Sequence, residues 1–253
     1  MTTEKQFGLV GNHLKNTFSK DYFTQQFSEK NLPFSYYNFE LQNTDEIIKL
    51  IVTKTDLFGL NITIPFKESV IPLLHEIDKT AAEIGAVNCI KISRDKNQIL
   101  LKGYNTDAFG FEQSLKEFLP QNFKGKALIL GTGGAAKAIQ FVCKQLGIDY
   151  TLVTSQSSKV GSKTIRYYDL NDAVIVAHKL VINCTPVGMF PNPNDFPEIP
   201  YFALSKKHYC FDLIYLPHET QFLKQAKEFG AKTTNGLKML NLQAEKAYNI
   251  FVS

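Results

Sequence analysis

Three short blocks in the first half of the chain collect side chains able to grip a polyhydroxylated acid. They are Asn61-Ile62-Thr63-Ile64-Pro65-Phe66-Lys67-Glu68, Ala86-Val87-Asn88 and Tyr104-Asn105-Thr106-Asp107. A ligand's hydroxyls call for Asn, Asp and Thr partners, its carboxylate for Ser or Thr donors, and a carbonyl to be reduced for a proton source. Taken singly, each residue is more readily a cap or turn former, because Asn, Thr and Asp favour such places anyway. Taken together, and placed beside strand ends, they supply that whole set of partners.

A second feature lies further along, where Leu128-Ile129-Leu130 runs into Gly131-Thr132-Gly133-Gly134-Ala135-Ala136. An apolar strand followed by Gly-x-Gly-x-x-Ala and a run of helix formers is the setting in which a pyrophosphate is bound. Gly131 permits the tight turn, Gly133 lets backbone approach the ligand, Ala136 keeps helix near strand, and the helix start offers free N–H groups. The competing reading is a merely structural turn. An NAD site would add Asp or Glu about 20 residues on, at the end of the next strand. That strand ends instead in Thr154-Ser155-Gln156-Ser157-Ser158-Lys159, whose hydroxyls and lysine suit a 2′-phosphate and favour NADP; a solvated polar loop is the alternative.

Elsewhere the chemistry is sparse. Cys89, Cys143, Cys184 and Cys210 show no Cys-x-x-Cys spacing, which suits reduced thiols in the cytoplasm. His208 and Cys210 are close but make only two ligands, so no metal is implied. Over 253 residues the net charge is +4 with no basic run, which leaves nucleic-acid binding without an electrostatic footprint. The apolar stretches fall far short of the roughly 18 residues a membrane helix needs, and residues 1–11 lack the apolar centre of a secretory signal.

These residues need a scaffold, and the periodicity predicts an α/β one. Strands are expected at 7–11, 34–41, 57–63, 86–93, 99–104, 126–130, 150–154, 180–184 and 209–215, with 86–93 and 99–104 a pair joined by the polar turn 94–98. Helices are expected at 20–29, 44–52, 68–74, 78–84, 107–118, 134–146, 219–229 and 236–252. Such alternation implies parallel sheets covered on both faces. The polar stretch 120–125 is the best linker candidate, and 191–200, with four prolines, is a loop.

Six ordered blocks, 61–68, 85–88, 105–107, 131–135, 183–189 and 236–243, make the chain resemble the shikimate dehydrogenase family over nearly its whole length. The resemblance implies two domains, an N-terminal α/β substrate domain (1–107 with 236–253) and a Rossmann-like dinucleotide-binding domain with a parallel sheet (108–235). It implies reversible NADPH-dependent reduction of 3-dehydroshikimate to shikimate by a cytoplasmic enzyme, monomeric or homodimeric. Lys67 and Asp107 match the catalytic pair. Thr17, Ser19, Asn61, Thr63, Asn88, Tyr215 and Gln243 match substrate contacts. Gly131, Thr132, Gly133, Gly134 and Ala135 match the pyrophosphate turn, with Ser155, Gln156 and Lys159 beyond it. Thr185, Met189, Leu213, Gly236 and Met239 match the nicotinamide side.

Two positions depart from the family pattern. Its His-Ser-x-Ser reads Asn16-Thr17-Phe18-Ser19, which adds a methyl where the substrate carboxylate is bound, and its 2′-phosphate arginine reads Gln156. The first departure leaves room for a related ring acid such as quinate, or for a non-catalytic NADP-binding sensor. The second weakens the preference for NADP.

Overall fold

The computed structural model describes residues 4–12, 14, 17–95 and 98–253; the departure at Asn16 lies outside them. The chain divides into two compact units, residues 1–109 with 243–253, and residues 110–242.

The first unit opens with β1 (Lys5–Gly11), α1 (Phe18–Glu29), β2 (Phe34–Glu40), α2 (Thr44–Thr53) and β3 (Leu57–Ile62). It continues through β4 (Glu76–Ile77), α3 (Lys79–Ile84), β5 (Cys89–Asp95), β6 (Gln98–Tyr104) and the start of α4 (Asp107–Phe118). The strands form one sheet in the order β2-β1-β3-β5-β6-β4. Alternation along β1 sends Phe7 and Leu9 to an aromatic core with Phe23, Phe27, Tyr36 and Phe251, and Val10 to an aliphatic core with Ile47, Ile51, Leu60 and Ile90. Caps set the helix starts: the Asn43 side chain accepts from the Glu46 N–H and the Asp78 side chain from the Thr80 N–H.

The second unit holds the rest of α4, then β7 (Ala127–Leu130), α5 (Gly134–Gln145), β8 (Tyr150–Thr154), β9 (Thr164–Arg166), α6 (Asp172–Ala177) and β10 (Leu180–Asn183). After β11 (Tyr209–Asp212), α7 (Gln221–Glu228) and β12 (Lys232–Thr234), the chain enters α8 (Leu237–Val252), which runs into the first unit. Its sheet, β12-β11-β10-β7-β8-β9, is parallel throughout. One face packs Leu128, Leu130, Val181 and Cys210 against Ile175 of α6 and Phe222 of α7. Phe111 and Phe118 of α4 stack edge-on against Phe211.

The alternating architecture is the expected one, with local corrections. The first sheet is mixed: β5 runs antiparallel to β6, as the expected strand pair joined across so few residues requires, and it runs antiparallel to β3 as well, where parallel neighbours were expected. Residues 68–74 are not an α-helix but turns and a single 3₁₀ turn, Ile71–Leu73, since Pro72 supplies no N–H to a continuing helix. Residues 86–88 precede β5 instead of belonging to it, and the strands expected to reach 184 and 215 stop at Asn183 and Asp212. Residues 120–125 form a loop inside the second unit, while the divisions between units fall within α4 and α8, the latter at 242/243 rather than 235/236. Elements β4, β9, β12 and α6 escape periodicity because two to six residues carry too little pattern.

Candidate active site

The ends of β3, β5 and β6 bring the first-half blocks together in the first unit. The Lys67 ammonium donates to Asp107 Oδ2 at 2.6 Å, and Asn88 Nδ2 donates to Asp107 Oδ1 at 2.9 Å. Both carboxylate oxygens are thus engaged, and Asp107 opens α4, where the helix dipole favours a negative charge. Backbone bonds position the three contributors. The Val87 N–H donates to the Lys67 carbonyl at 2.7 Å, and the Asn88 N–H to the Tyr104 carbonyl at 3.1 Å. Asn105 Nδ2 donates to the Ala86 carbonyl while its Oδ1 accepts from the Ala108 N–H, so this side chain both ties the loops and caps α4.

Around the pair stands a buried polar shell. Asn88 Oδ1 accepts from the Thr106 N–H at 2.7 Å, and Thr106 Oγ1 donates to Gln243 Oε1 at 3.2 Å. Asn88, Thr106, Asp107 and Gln243 are all buried, and bonding to one another offsets the cost of taking their polar groups out of water. The geometry supplies a cation and a carboxylate 2.6 Å apart in surroundings that exclude most water, which is what proton transfer to a polar ligand needs.

A second polar line approaches from α1 and β2. Ser19 hydrogen-bonds the Tyr36 hydroxyl, which donates to Asn61 Oδ1 at 2.8 Å. Burial pushes the Tyr36 phenol well above its ordinary range, so it stays protonated and serves as a donor. Thr17 Oγ1 donates to Asn38 Oδ1 at 2.9 Å, and Asn38 Nδ2 to the Leu14 carbonyl. Thr63, half-buried, follows β3 and accepts at its carbonyl from the Phe66 N–H. Tyr215 belongs to the second unit, half-buried on the loop after β11; burial raises its phenol as well.

In the second unit, β7 ends at Leu130 and α5 begins at Gly134, as the glycine turn requires. Gly131 has φ of +105°, and a Cβ there would stand 3.1 Å from Thr185 Cγ2. A Cβ on Gly133 would meet no protein atom within 4 Å, so its missing side chain leaves a cradle over the first N–H groups of α5. Thr132, Gly134 and Ala135 line it half-buried, and Ala136 is fully buried against the sheet. Ser155, Gln156 and Lys159 stand exposed past the end of β8, where the Gln156 N–H is turned onto Thr154 Oγ1. Open backbone donors flanked by hydroxyls and a lysine fit a phosphorylated dinucleotide.

The loops after β10 and β11, with the start of α8 and the residue before it, carry the remaining expected cofactor residues. Thr185 is half-buried and Met189 is exposed; Leu213 is half-buried. Gly236 allows no side chain, because a Cβ would collide with the Leu213 carbonyl oxygen. Met239 is buried in α8. Among the described residues, no group of three or more His, Cys, Asp or Glu could hold a metal. His208 has both ring nitrogens engaged, with Ser205 and the Ile175 carbonyl.

Two contributors had no role assigned to them. Thr106, singled out only as part of its block, joins Asn88 to Gln243. Tyr36 links Ser19 to Asn61, but an aromatic residue in a strand looks like core, and indeed its ring stacks on Phe23 at 4.6 Å.

The family model for the shikimate dehydrogenase substrate binding domain matches residues 9–90. The shikimate dehydrogenase (NADP(+)) of Methanosphaera stadtmanae is 35% identical over 260 residues, covering 96% of this chain and 90% of that protein. Among solved structures, shikimate dehydrogenase from Aquifex aeolicus superposes with a TM-score of 0.86 at 33% identity, covering 99% of this chain and 93% of its own. The Thermus thermophilus enzyme, solved in complex with NADP(H) and shikimate, gives 0.83 at 27% identity, covering 98% and 93%. The shared fold, the length of the match and its level of identity place this chain in the shikimate dehydrogenase family.

Proposed function

We propose that this chain catalyses the reversible reduction of 3-dehydroshikimate to shikimate with NADPH, a step of chorismate and aromatic amino-acid biosynthesis. The observation that carries the mechanism is the Lys67–Asp107 ion pair, fixed on its far side by Asn88. NADPH bound over the Gly131–Ala135 turn supplies the hydride. Lys67 stabilises the charge that develops on the C3 oxygen and delivers its proton, closing the balance of ketone, hydride and proton to alcohol. Asp107 orients the ammonium and, with Asn88 and Gln243, receives the ring hydroxyls. Asn61 and Thr63 complete the hydroxyl contacts, Thr17 and Ser19 meet the carboxylate, and Tyr215 is the remaining substrate contact.

Cofactor contacts follow the same reading. Gly131, Thr132, Gly133, Gly134 and Ala135 take the pyrophosphate, while Ser155, Gln156 and Lys159 take the 2′-phosphate. Thr185, Met189, Leu213, Gly236 and Met239 border the nicotinamide. The enzyme works in the cytoplasm; no described helix is long and apolar enough to cross a membrane.

A non-catalytic sensor would have no use for a desolvated lysine–carboxylate pair, which separates it from this reading. The deciding experiment follows NADPH formation by its near-ultraviolet absorbance with shikimate and with quinate, each against NADP+ and NAD+. Turnover with shikimate and NADP+ above the other three combinations is expected. Faster turnover of quinate, or binding of NADP+ with no turnover of either acid, would overturn it.

A further inference from the structure

The second unit contains a buried carboxylate to which the mechanism above gives no work. Asp212, at the end of β11, has no exposed surface. Its described partners are three uncharged donors: Asn183 Nδ2 to Oδ1 at 3.0 Å, the Ile214 N–H to Oδ1 at 3.0 Å, and Thr220 Oγ1 to Oδ2 at 2.6 Å. Burial pushes its acid up to about 6, while those donors pull the other way.

The partners lie on the loops that carry the expected cofactor residues. Asn183 Oδ1 accepts from the Thr185 N–H at 3.0 Å and from Thr185 Oγ1 at 2.6 Å, so the side chain that meets Asp212 also fixes Thr185. The Leu213 N–H donates to the Asn183 carbonyl, and the Gly236 N–H to the Ile214 carbonyl, both at 3.0 Å. On the far side Thr220 caps α7, its Oγ1 accepting from the Leu223 N–H. A continuous chain of bonds therefore runs from Thr185 through Asn183, Asp212 and Thr220 into a helix end.

We infer that Asp212 is a positioning residue for the cofactor, a buried acceptor that locks the 183–189 loop and the 212–220 loop into one rigid platform. It acts through Thr185 and Leu213 and touches no substrate. A network with every member satisfied fixes geometry more firmly than its bonds taken singly, and its partial loss frees both loops together. The inference rests on the reading that these loops border NADPH.

The test measures the NADPH dissociation constant by fluorescence, together with Tm, for wild type, Asp212→Leu, Asp212→Asn and Thr220→Val. Leucine fills the space without accepting a bond and leaves three donors unpaired, so its Tm is expected to fall as well. Asparagine keeps an acceptor for Asn183 and Ile214 and offers its amide to the Thr220 oxygen. Expected are a rise of about tenfold or more in the constant for Asp212→Leu, a smaller rise for Thr220→Val, and a value within about threefold of wild type for Asp212→Asn. An unchanged constant in folded Asp212→Leu would overturn the inference. Should that variant fail to fold, an unchanged constant in Thr220→Val overturns it instead. Wild-type protein that does not bind NADPH would refute the underlying cofactor reading, a different result from tight binding that ignores Asp212.

Discussion

Around Lys67 side chains hold one another, whereas around Gly131 the backbone does the holding. In the first unit a half-buried ammonium joins a buried carboxylate, two amides and a hydroxyl in one set, each fixed by a neighbour. In the second unit the glycine turn offers N–H groups and an uncluttered cradle, with polar side chains left exposed beyond β8. The contrast suits the two tasks proposed for these regions. Moving a proton needs a particular group at a particular atom with little competing water, while gripping a pyrophosphate needs only several donors and room.

The comparison breaks most readily at Lys67. Replacing it with alanine removes the proton source and leaves Asp107 Oδ2 without its partner, so turnover should fall about 10²-fold or more while the NADPH dissociation constant stays put. Steady-state kinetics with a parallel binding titration would check it, and near-normal turnover would remove Lys67 from the chemistry.

Next come the two glycines of the turn, which should fail differently. Gly131→Ala forces a side chain into a positive-φ position and against Thr185, so both Tm and NADPH affinity should drop, affinity by about tenfold. Gly133→Ala meets no protein atom, so its Tm should hold while affinity drops by a similar factor. Equal Tm losses in both would show that the cradle at 133 serves folding and not a ligand.

A smaller gain is expected from Gln156→Arg. Restoring a guanidinium beside exposed Ser155 and Lys159 should lower KM for NADP+ roughly fivefold and leave KM for NAD+ unchanged, a modest effect because the position is open to water. Equal changes for both cofactors would place the 2′-phosphate elsewhere.

The smallest effect concerns acid stability of the second unit. Burial lowers the His178 and His208 imidazoles below their ordinary value, so the unfolded chain takes up these protons first. Their contribution is present above about pH 6.5 and is lost as pH falls through the lowered folded values. Asp212 acts in the opposite sense: its acid, raised to about 6, favours the fold at low pH and less so above that value. Thermal melts of wild type and His208→Gln across this range should converge on acidification; parallel curves would exclude His208.

Much of this was readable in advance, for physical reasons that particular residues show. Asn43 and Asp78 cap helices that begin where the polar residue precedes an apolar period, and the Gly131 turn follows its strand at once. The parallel sheet of the second unit follows from strands alternating with helices. The β5–β6 pair was legible from the polar turn between two apolar runs, but the antiparallel pairing of β5 with β3 was not, because a run of apolar residues says nothing of its neighbours' direction. Residues 68–74 misled because Glu68, Lys67 and the leucines suit a helix that Pro72 then forbids.

Composition, spacing and local preference set the elements, the glycine turn and the polar blocks, since all of these depend on residues within a few positions of one another. Tertiary structure alone decided which polar groups meet: Asn88 reaches Gln243 across 155 positions, Tyr36 closes onto Asn61, and Asp212 joins two loops through Asn183 and Thr220. Such contacts arise where strand ends converge on one edge of a sheet, and that convergence depends on strand order and register, which no local window of sequence encodes.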